Sequence, residues 1–321
     1  MSKVRVGVLR GGPSSEYEVS LKTGASVLES LGVNYRPVDL LVTREGSWFC
    51  GGLPTDLVSL SRQVEVVINA LHGRFGEDGQ VQKMLDRVMI PYSGSGPLSS
   101  AIGINKILTK RSLSGLPVRM PYGLHLNLSS DKQELAEQVF RRLSPPWVLK
   151  PIDQGSSCGV AVVDNFSDLV ATLEEGARVF DELLVEEYIF GREATVGVVE
   201  KFRGHHHYTL PVVEVKLPLN SRFFDYNTKY AISNDNVCPG RFTEEEKTFL
   251  QTMAVAVHQK LGLRHYSRSD FVVTSRGVYF LEVNTLPGLM PHSLFSQSLE
   301  AVGCSRTQFL DHLVKLIKNK V

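Results

Sequence analysis

"FLEVNTLPG", residues 280–288, is the stretch on which the reading of this chain turns. Val278 to Val283 has the composition of a strand, and the chain then breaks off at Asn284, Thr285, Pro287 and Gly288. Side chains alternate across a strand, so Glu282 and Asn284 share one face while Leu281 and Val283 face the other layer. A carboxylate and an amide oxygen side by side suit a hard cation such as Mg²⁺, which takes oxygen ligands and shares them with substrate phosphates. The run before it, "SRSDFVVT" (267–274), reads as the other arm of a hairpin, and there Arg268 and Asp270 are again two apart. Pairing the arms predicts one ligand cluster of Asp270, Glu282 and Asn284, with Arg268 beside it. The alternative is a structural salt-bridge cluster, because such groups cost several kcal/mol if buried unmatched.

A metal held this way ordinarily serves a nucleotide. The chain has no G-x-x-x-x-G-K-[ST], and "GG" at 11–12 is not G-x-G-x-x-G, which argues against a P-loop and weakens a dinucleotide fold. "KPIDQGSSCG" (150–159) instead puts Lys150 at a strand end, ahead of a Gly/Ser loop. Gly155 and Gly159 permit tight turns, and the N–H groups between them can wrap phosphate oxygens. Lys106 adds a second point charge. An ordinary Gly/Ser hairpin turn is the competing reading. "VEEYIFGREATV" (185–196) offers Glu186, Glu187 and Glu193 to ribose hydroxyls if 185–191 is an interdomain strand; otherwise it is a solvated acidic edge.

The rest of the chain supplies the frame. Val4 to Leu9 and "VEVVINAL" (64–71) read as buried parallel strands, followed by "RGGPSS" and "HGRFGEDG" at their carboxyl ends, where open α/β sheets bind ligands. Ser15 and Glu18 are spaced as a capping box for a helix running to Gly32. A single helix is expected near 97–115, carrying Lys106. Strand, helix and strand signals from 121 to 189 read as an α+β unit, and "HYTLPVVEVKL" (207–217) as one strand. Thr243 with Glu246, and Ser305 with Gln308, predict two further helix starts. The aperiodic stretch 218–242 is too long for an ordinary connection and reads as a functional loop. "GHHHY" (204–208) offers His205 and His207 to a metal from one strand face, with an exposed hairpin tip as the simpler reading.

Composition narrows the class. Hydrophobic residues make up 42% and charged residues 21%, with a net charge of +1, so no global field draws nucleic acid or an anionic membrane. Cys50, Cys158, Cys238 and Cys304 show no C-x-x-C spacing and there is no signal-peptide pattern, which reads as reduced thiols in a cytoplasmic protein.

In their order, "LHGRFGEDG", "KPIDQGSSCG", "EEYIFGRE", "FFDYNTKY", "SRSDF" and "LEVNTLPG…HSL" resemble the D-alanine–D-alanine ligase family of ATP-grasp enzymes over nearly the whole chain. The resemblance implies an ATP-grasp fold, α/β and α+β. An N-terminal open parallel sheet domain (1–104) joins two α+β domains (105–187 and 188–321) that enclose a nucleotide cleft, with 218–242 as a lid. It implies ATP and Mg²⁺, with Mn²⁺ as a substitute, and two D-alanine molecules joined through an acylphosphate for peptidoglycan precursors. Glu16, Ser156, Tyr230, Arg268 and the backbone of Gly288 match the catalytic positions. His72, Lys229, Ser293 and Leu294 match the substrate-binding ones. Lys106, Lys150, Ser157, Glu186, Glu187, Ile189, Glu193 and again Lys229 match the nucleotide set, and Asp270, Glu282 and Asn284 the metal ligands. No nucleic acid or membrane partner is implied, and a homodimer is left open.

The chain departs from the family pattern in three places. "HYSRSDF" lacks a glycine near its start, "YNTKY" has Asn227 and Thr228 where the family has Glu-Ala, and Met290-Pro291 stand where Thr-Ser is usual. Pro291 removes a backbone N–H, and Met290 a hydroxyl, close to the second-substrate pocket. Two other functions stay open: an ATP-grasp ligase with a different amine or hydroxy-acid acceptor, and a nucleotide-binding homologue without catalysis.

Overall fold

The computed structural model describes residues 3–155, 158–216 and 235–318. Val66–Asn69 is buried at every position, and that burial places it inside a sheet with both faces covered. The first sheet has the order β4-β3-β2-β1-β5. It is made of β1 (Val4–Gly11), β2 (Tyr35–Val42), β3 (Trp48–Cys50), β4 (Leu53–Pro54) and β5 (Val66–Asn69). β1 runs parallel to β2 and β5, while β3 and β4 add an antiparallel edge that the parallel reading did not anticipate. The segment around Tyr92 contributes a single parallel bridge to Val67.

The middle unit is an antiparallel sheet, order β6-β9-β7-β8, of β6 (Gly123–Asn127), β7 (Trp147–Pro151), β8 (Ala161–Val163) and β9 (Glu182–Glu187). Helices Lys132–Arg142 and Phe166–Gly176 cover it, and Trp147, Leu169 and Val185 pack in a core drawn from residues 124–185 alone. The third sheet is β10 (Arg192–Phe202), β11 (His205–Thr209), β12 (Val213–Val215), β13 (Tyr266–Thr274) and β14 (Gly277–Asn284), with β11 and β12 both paired to β10. The single strand expected over 207–217 is therefore two, parted around Pro211, which has no N–H to give a ladder. The first and third units share one core, where Val6 and Ile68 join a cluster with Tyr266, Phe295 and Phe309. Leu113 and Val118, expected in the middle domain, pack instead in the core of the third sheet.

Several local signals resolve differently from their sequence reading. The Thr243–Glu246 capping box forms, and Ser305 and Gln308 exchange the same pair of bonds. Ser15 and Glu18 make no such box. The helix Tyr17–Ser30 starts at Glu16 without a side-chain cap, Glu18 pairs with Arg44 at 2.8 Å, and Ser14 shapes the turn by accepting from the Glu16 N–H and donating to the His72 carbonyl. The helix expected over 97–115 is two helices, Pro97–Ile104 and Lys106–Ser112. Asn105 breaks it by taking an extended conformation and accepting from the Ile107 and Leu108 N–H groups. That break makes Lys106 the first residue of a new helix. No helix among the described residues is long and apolar enough to cross a membrane.

Removing the Asn105 cap should cost about 1 kcal/mol, the usual worth of such a residue. Urea unfolding of Asn105→Ala is expected to show that loss and Asn105→Asp to recover most of it; an unchanged midpoint for the alanine variant would mean the break has another cause.

Candidate active site

The β13–β14 pairing has the register the hairpin reading requires. Asp270 lies opposite Glu282 and Arg268 opposite Asn284. Arg268 holds Asp270 through two bonds of 2.9 and 2.8 Å, Asn284 Nδ2 donates to Asp270 Oδ2 at 3.1 Å, and Thr195 of β10 donates to Asp270 Oδ1. The ladder shifts just after this point, with Phe271 opposite Phe280, so Leu281 is an extra residue on β14. This bulge breaks strict alternation. Leu281, expected on the far face with Val283, lines the same cavity as Glu282 and packs beside Ile189 and Val272.

Two carboxylates and an amide on one face are the donor set a hard divalent cation takes; the bonds from Arg268, Thr195 and Asn284 occupy the Asp270 oxygens, so a cation would take the place of the Thr195 or Asn284 bond there. These residues fit Mg²⁺, with its other positions left to water and phosphate oxygens.

Behind the hairpin lies a cavity between the middle and third sheets. Lys150, Glu186, Glu187, Ile189, Glu193 and Asp270 all line it. Glu187 accepts from the Tyr122 N–H at 2.9 Å. Strand β9 ends at Glu187, so 185–191 is not one continuous strand. Glu186 is 1% exposed and sits between Lys150 Nζ, at 2.6 Å, and Lys110 Nζ. Burial opposes its charge, but the two ammonium groups outweigh burial and hold the carboxyl below its ordinary range. Glu186 thus anchors two lysines, where the sequence reading placed it on ribose. Lys110 escaped that reading, although its spacing of four from Lys106 on one helix could have found it. Lys106 donates to the Gln154 carbonyl at 2.7 Å and lies 4.0 Å from Glu282.

A second cavity opens from the first, the two sharing Lys106, Gln154, Arg268, Glu282 and Leu294. Its walls bring Glu16 and His72 of the first unit against Asn284, Gly288 and Ser293 of the third. Glu16 is 2% exposed, and its Oε2 comes so close to Gly73 and Gly155 that a Cβ there would lie 2.7 and 3.0 Å away. At Gly73 the backbone itself, with φ of +71°, also favours glycine. His72 is within 2.9 Å of Thr23 Oγ1 and 3.6 Å of Glu77. Burial works against its positive charge, yet Glu77 and Glu16 together raise its pKa above the ordinary histidine value. Ser293 donates to the Gly288 carbonyl at 2.6 Å and caps the helix Leu294–Ala301, and Met290 and Pro291 line the same cavity. Ser156, Ser157, Lys229 and Tyr230 lie outside the described residues, as does most of the expected lid. Its last part is seated: Val237 exchanges bonds of 2.9 and 3.0 Å with Glu214.

The three-sheet fold and a cleft ringed by lysines and oxygen ligands define an ATP-grasp enzyme. Family models described as D-ala D-ala ligase C-terminus and N-terminus match residues 111–315 and 53–95. A D-alanine–D-alanine ligase of Syntrophobacter fumaroxidans is 36% identical over 98% of this chain and 97% of its own. Among solved structures, the Bacillus anthracis D-alanine–D-alanine ligase complexed with ATP is 28% identical, with a TM-score of 0.82 over 99% of this chain and all of that one. The VanG D-Ala:D-Ser ligase from Enterococcus faecalis is also 28% identical, with a TM-score of 0.84 over 98% of this chain and all of its own. The chain belongs to the D-ala D-ala ligase family.

Glu186→Gln should destabilise the fold by about 3–5 kcal/mol, since it leaves two lysines facing a neutral group. The Glu186 carboxyl is depressed from 4.5, so its contribution is complete above that pH and is lost as pH falls through the lower native value. Urea unfolding should therefore show a wild-type advantage at neutral pH that narrows in acid.

Proposed function

We propose that this protein joins two D-alanine molecules into D-alanyl-D-alanine with cleavage of ATP to ADP and phosphate, for peptidoglycan precursors in the cytoplasm. The observation that carries this reading is the pair of cavities meeting at Lys106, Arg268 and Glu282. One suits a nucleotide, the other two amino acids, and the γ-phosphate would sit where they join. There a carboxylate oxygen of the first D-alanine attacks phosphorus, the bond to ADP breaks, and an acylphosphate forms. The second amine then attacks the acyl carbon; a C–N bond forms, phosphate leaves and the amine gives up a proton.

The residue roles are those the family resemblance implies, and the charges and donors at the site suit them. Lys106 and Lys150 meet phosphate oxygens, and Glu193 meets the ribose. Arg268 and the Gly288 N–H face the oxygen that becomes negative as the carbonyl turns tetrahedral. Glu16, next to His72, takes the ammonium of the first substrate. Asp270, Glu282 and Asn284 would hold Mg²⁺, which when bound offsets the negative charge of the reacting phosphates. Ser156, Lys229 and Tyr230 complete the set by family resemblance, with 218–242 excluding water over the acylphosphate.

A different acceptor is the second reading, favoured by Met290 and Pro291 in the amino-acid cavity. Mass spectrometry of products from ATP, Mg²⁺ and D-alanine, D-serine or D-lactate separates the two. D-alanyl-D-alanine with stoichiometric ADP is expected to dominate, and a mixed product formed faster would reassign the acceptor. Glu282→Gln should lower turnover at least about 100-fold, the scale of lost electrostatic stabilisation at a reacting centre, while leaving the urea midpoint near wild type.

A further inference from the structure

Far from this cleft, three ligand-type side chains meet at the β10–β11 hairpin. Glu200 and His207 are direct cross-strand partners, so their side chains leave the same face of the sheet. The helix Glu244–Lys260 lies against that face and brings His258 to them. One ligand atom from each of Glu200, His207 and His258 lies within 4.8 Å of the other two. Glu200 is seven residues from Glu193, which puts it about 23 Å along β10 and on the opposite face.

The surroundings are built as those of a metal ligand set are. His258 is fully buried; its Nδ1 is 2.7 Å from Ser267 Oγ, which fixes the ring and directs Nε2 towards Glu200 Oε1 at 3.8 Å. Among the described residues that buried Nε2 has no hydrogen-bond partner. The other Glu200 oxygen accepts from the His265 N–H at 2.7 Å. Orienting bonds on the second nitrogen of a histidine and the second oxygen of a carboxylate are what metal ligands usually carry. His207 is partly exposed, and among the described residues its Nδ1 is held by Gln259 and His206, each at 3.1 Å. A serine–histidine–glutamate hydrolase is excluded, since Ser267 is fully buried and no substrate reaches it.

We propose that Glu200, His207 and His258 form a binding site for a divalent transition metal of the Zn²⁺ class. Two imidazoles and one carboxylate are a borderline donor set that Zn²⁺ prefers over Mg²⁺, with a fourth position left to water. Tetrahedral bonds of about 2.0–2.1 Å need ligand atoms closer than they stand, and His207, on a short hairpin at the surface, is the side chain free to close the gap. The sequence pointed at His205 and His207 as a pair, but the fold leaves His205 exposed beside Tyr208 and gives His207 two partners from other elements. The ion would clip the hairpin to the helix and leave the cleft untouched.

The test is calorimetric titration of the full-length protein with Zn²⁺ in excess Mg²⁺, alongside Co²⁺ absorption spectra and thermal melts. One equivalent of Zn²⁺ should bind, Co²⁺ should give the intense visible bands of a tetrahedral site, and Zn²⁺ should raise the melting temperature by mass action. His207→Ala and Glu200→Gln should each lose that equivalent and the melting shift, while His207→Ala keeps wild-type ATP turnover with Mg²⁺. Failure of the wild type to bind an equivalent, or unchanged binding in both variants, would overturn the proposal without touching the ligase reading.

Discussion

The register of one hairpin governs most of what this structure can do. With Asp270 opposite Glu282 and Arg268 opposite Asn284, four polar side chains gather on a single face. A slip of β14 by one residue would send Glu282 and Asn284 into the opposing layer, away from Arg268 and Asp270 on β13. The Arg268–Asp270 fork, the Asn284 amide and the Thr195 hydroxyl lock the arrangement from three strands at once. The bulge then adds what regular pairing forbids. It lets Leu281 and Glu282, neighbours in sequence, reach the same cavity, one as an apolar wall and the other as a charged ligand.

Electrostatics explains why the cleft tolerates so many buried cations. Lys150 and Lys110 share Glu186, Lys106 leans on the Gln154 carbonyl, and Arg268 grips Asp270. Each positive charge is oriented before any anion arrives, which is the arrangement that stabilises developing negative charge with little reorganisation. Glu186 is the hinge of this scheme, since a buried carboxylate flanked by two ammonium groups makes their burial affordable. On the opposite wall the signs reverse. Glu16 and Glu77 surround His72, and close-set glycines press the loop carrying Gly155 against the Glu16 carboxylate.

The cores divide the chain unevenly. Residues 124–185 bury a cluster of their own, while the first and third sheets meet in a shared one through Tyr266, Phe295 and Phe309. The cleft is therefore walled on one side by an independently packed unit and on the other by two units that hold each other in place. Asn105 stands where these parts join, and its cap starts the helix that presents both Lys106 and Lys110.

Much of this was legible in the residues because the rules concerned are local. Alternation along a strand paired Glu282 with Asn284 and Arg268 with Asp270, and S/T-x-x-E/Q spacing marked the helices after Thr243 and Ser305. Where local rules compete, sequence alone was misleading. Ser15 and Glu18 had the spacing of a cap, but Ser14 bonds to His72, and Glu18 turns outward to Arg44. Asn105 had a helical context and still broke it. Long-range pairing had no local signal at all: Lys110 and Glu186 stand 76 residues apart, and His207 meets His258 only because a helix folds back over the hairpin. Periodicity and spacing fix what neighbours along the chain can present on one face. Which charges are buried together, and which side chain a bulge re-aims, is decided only when distant segments close and exclude water, since the cost of an unmatched charge arises there.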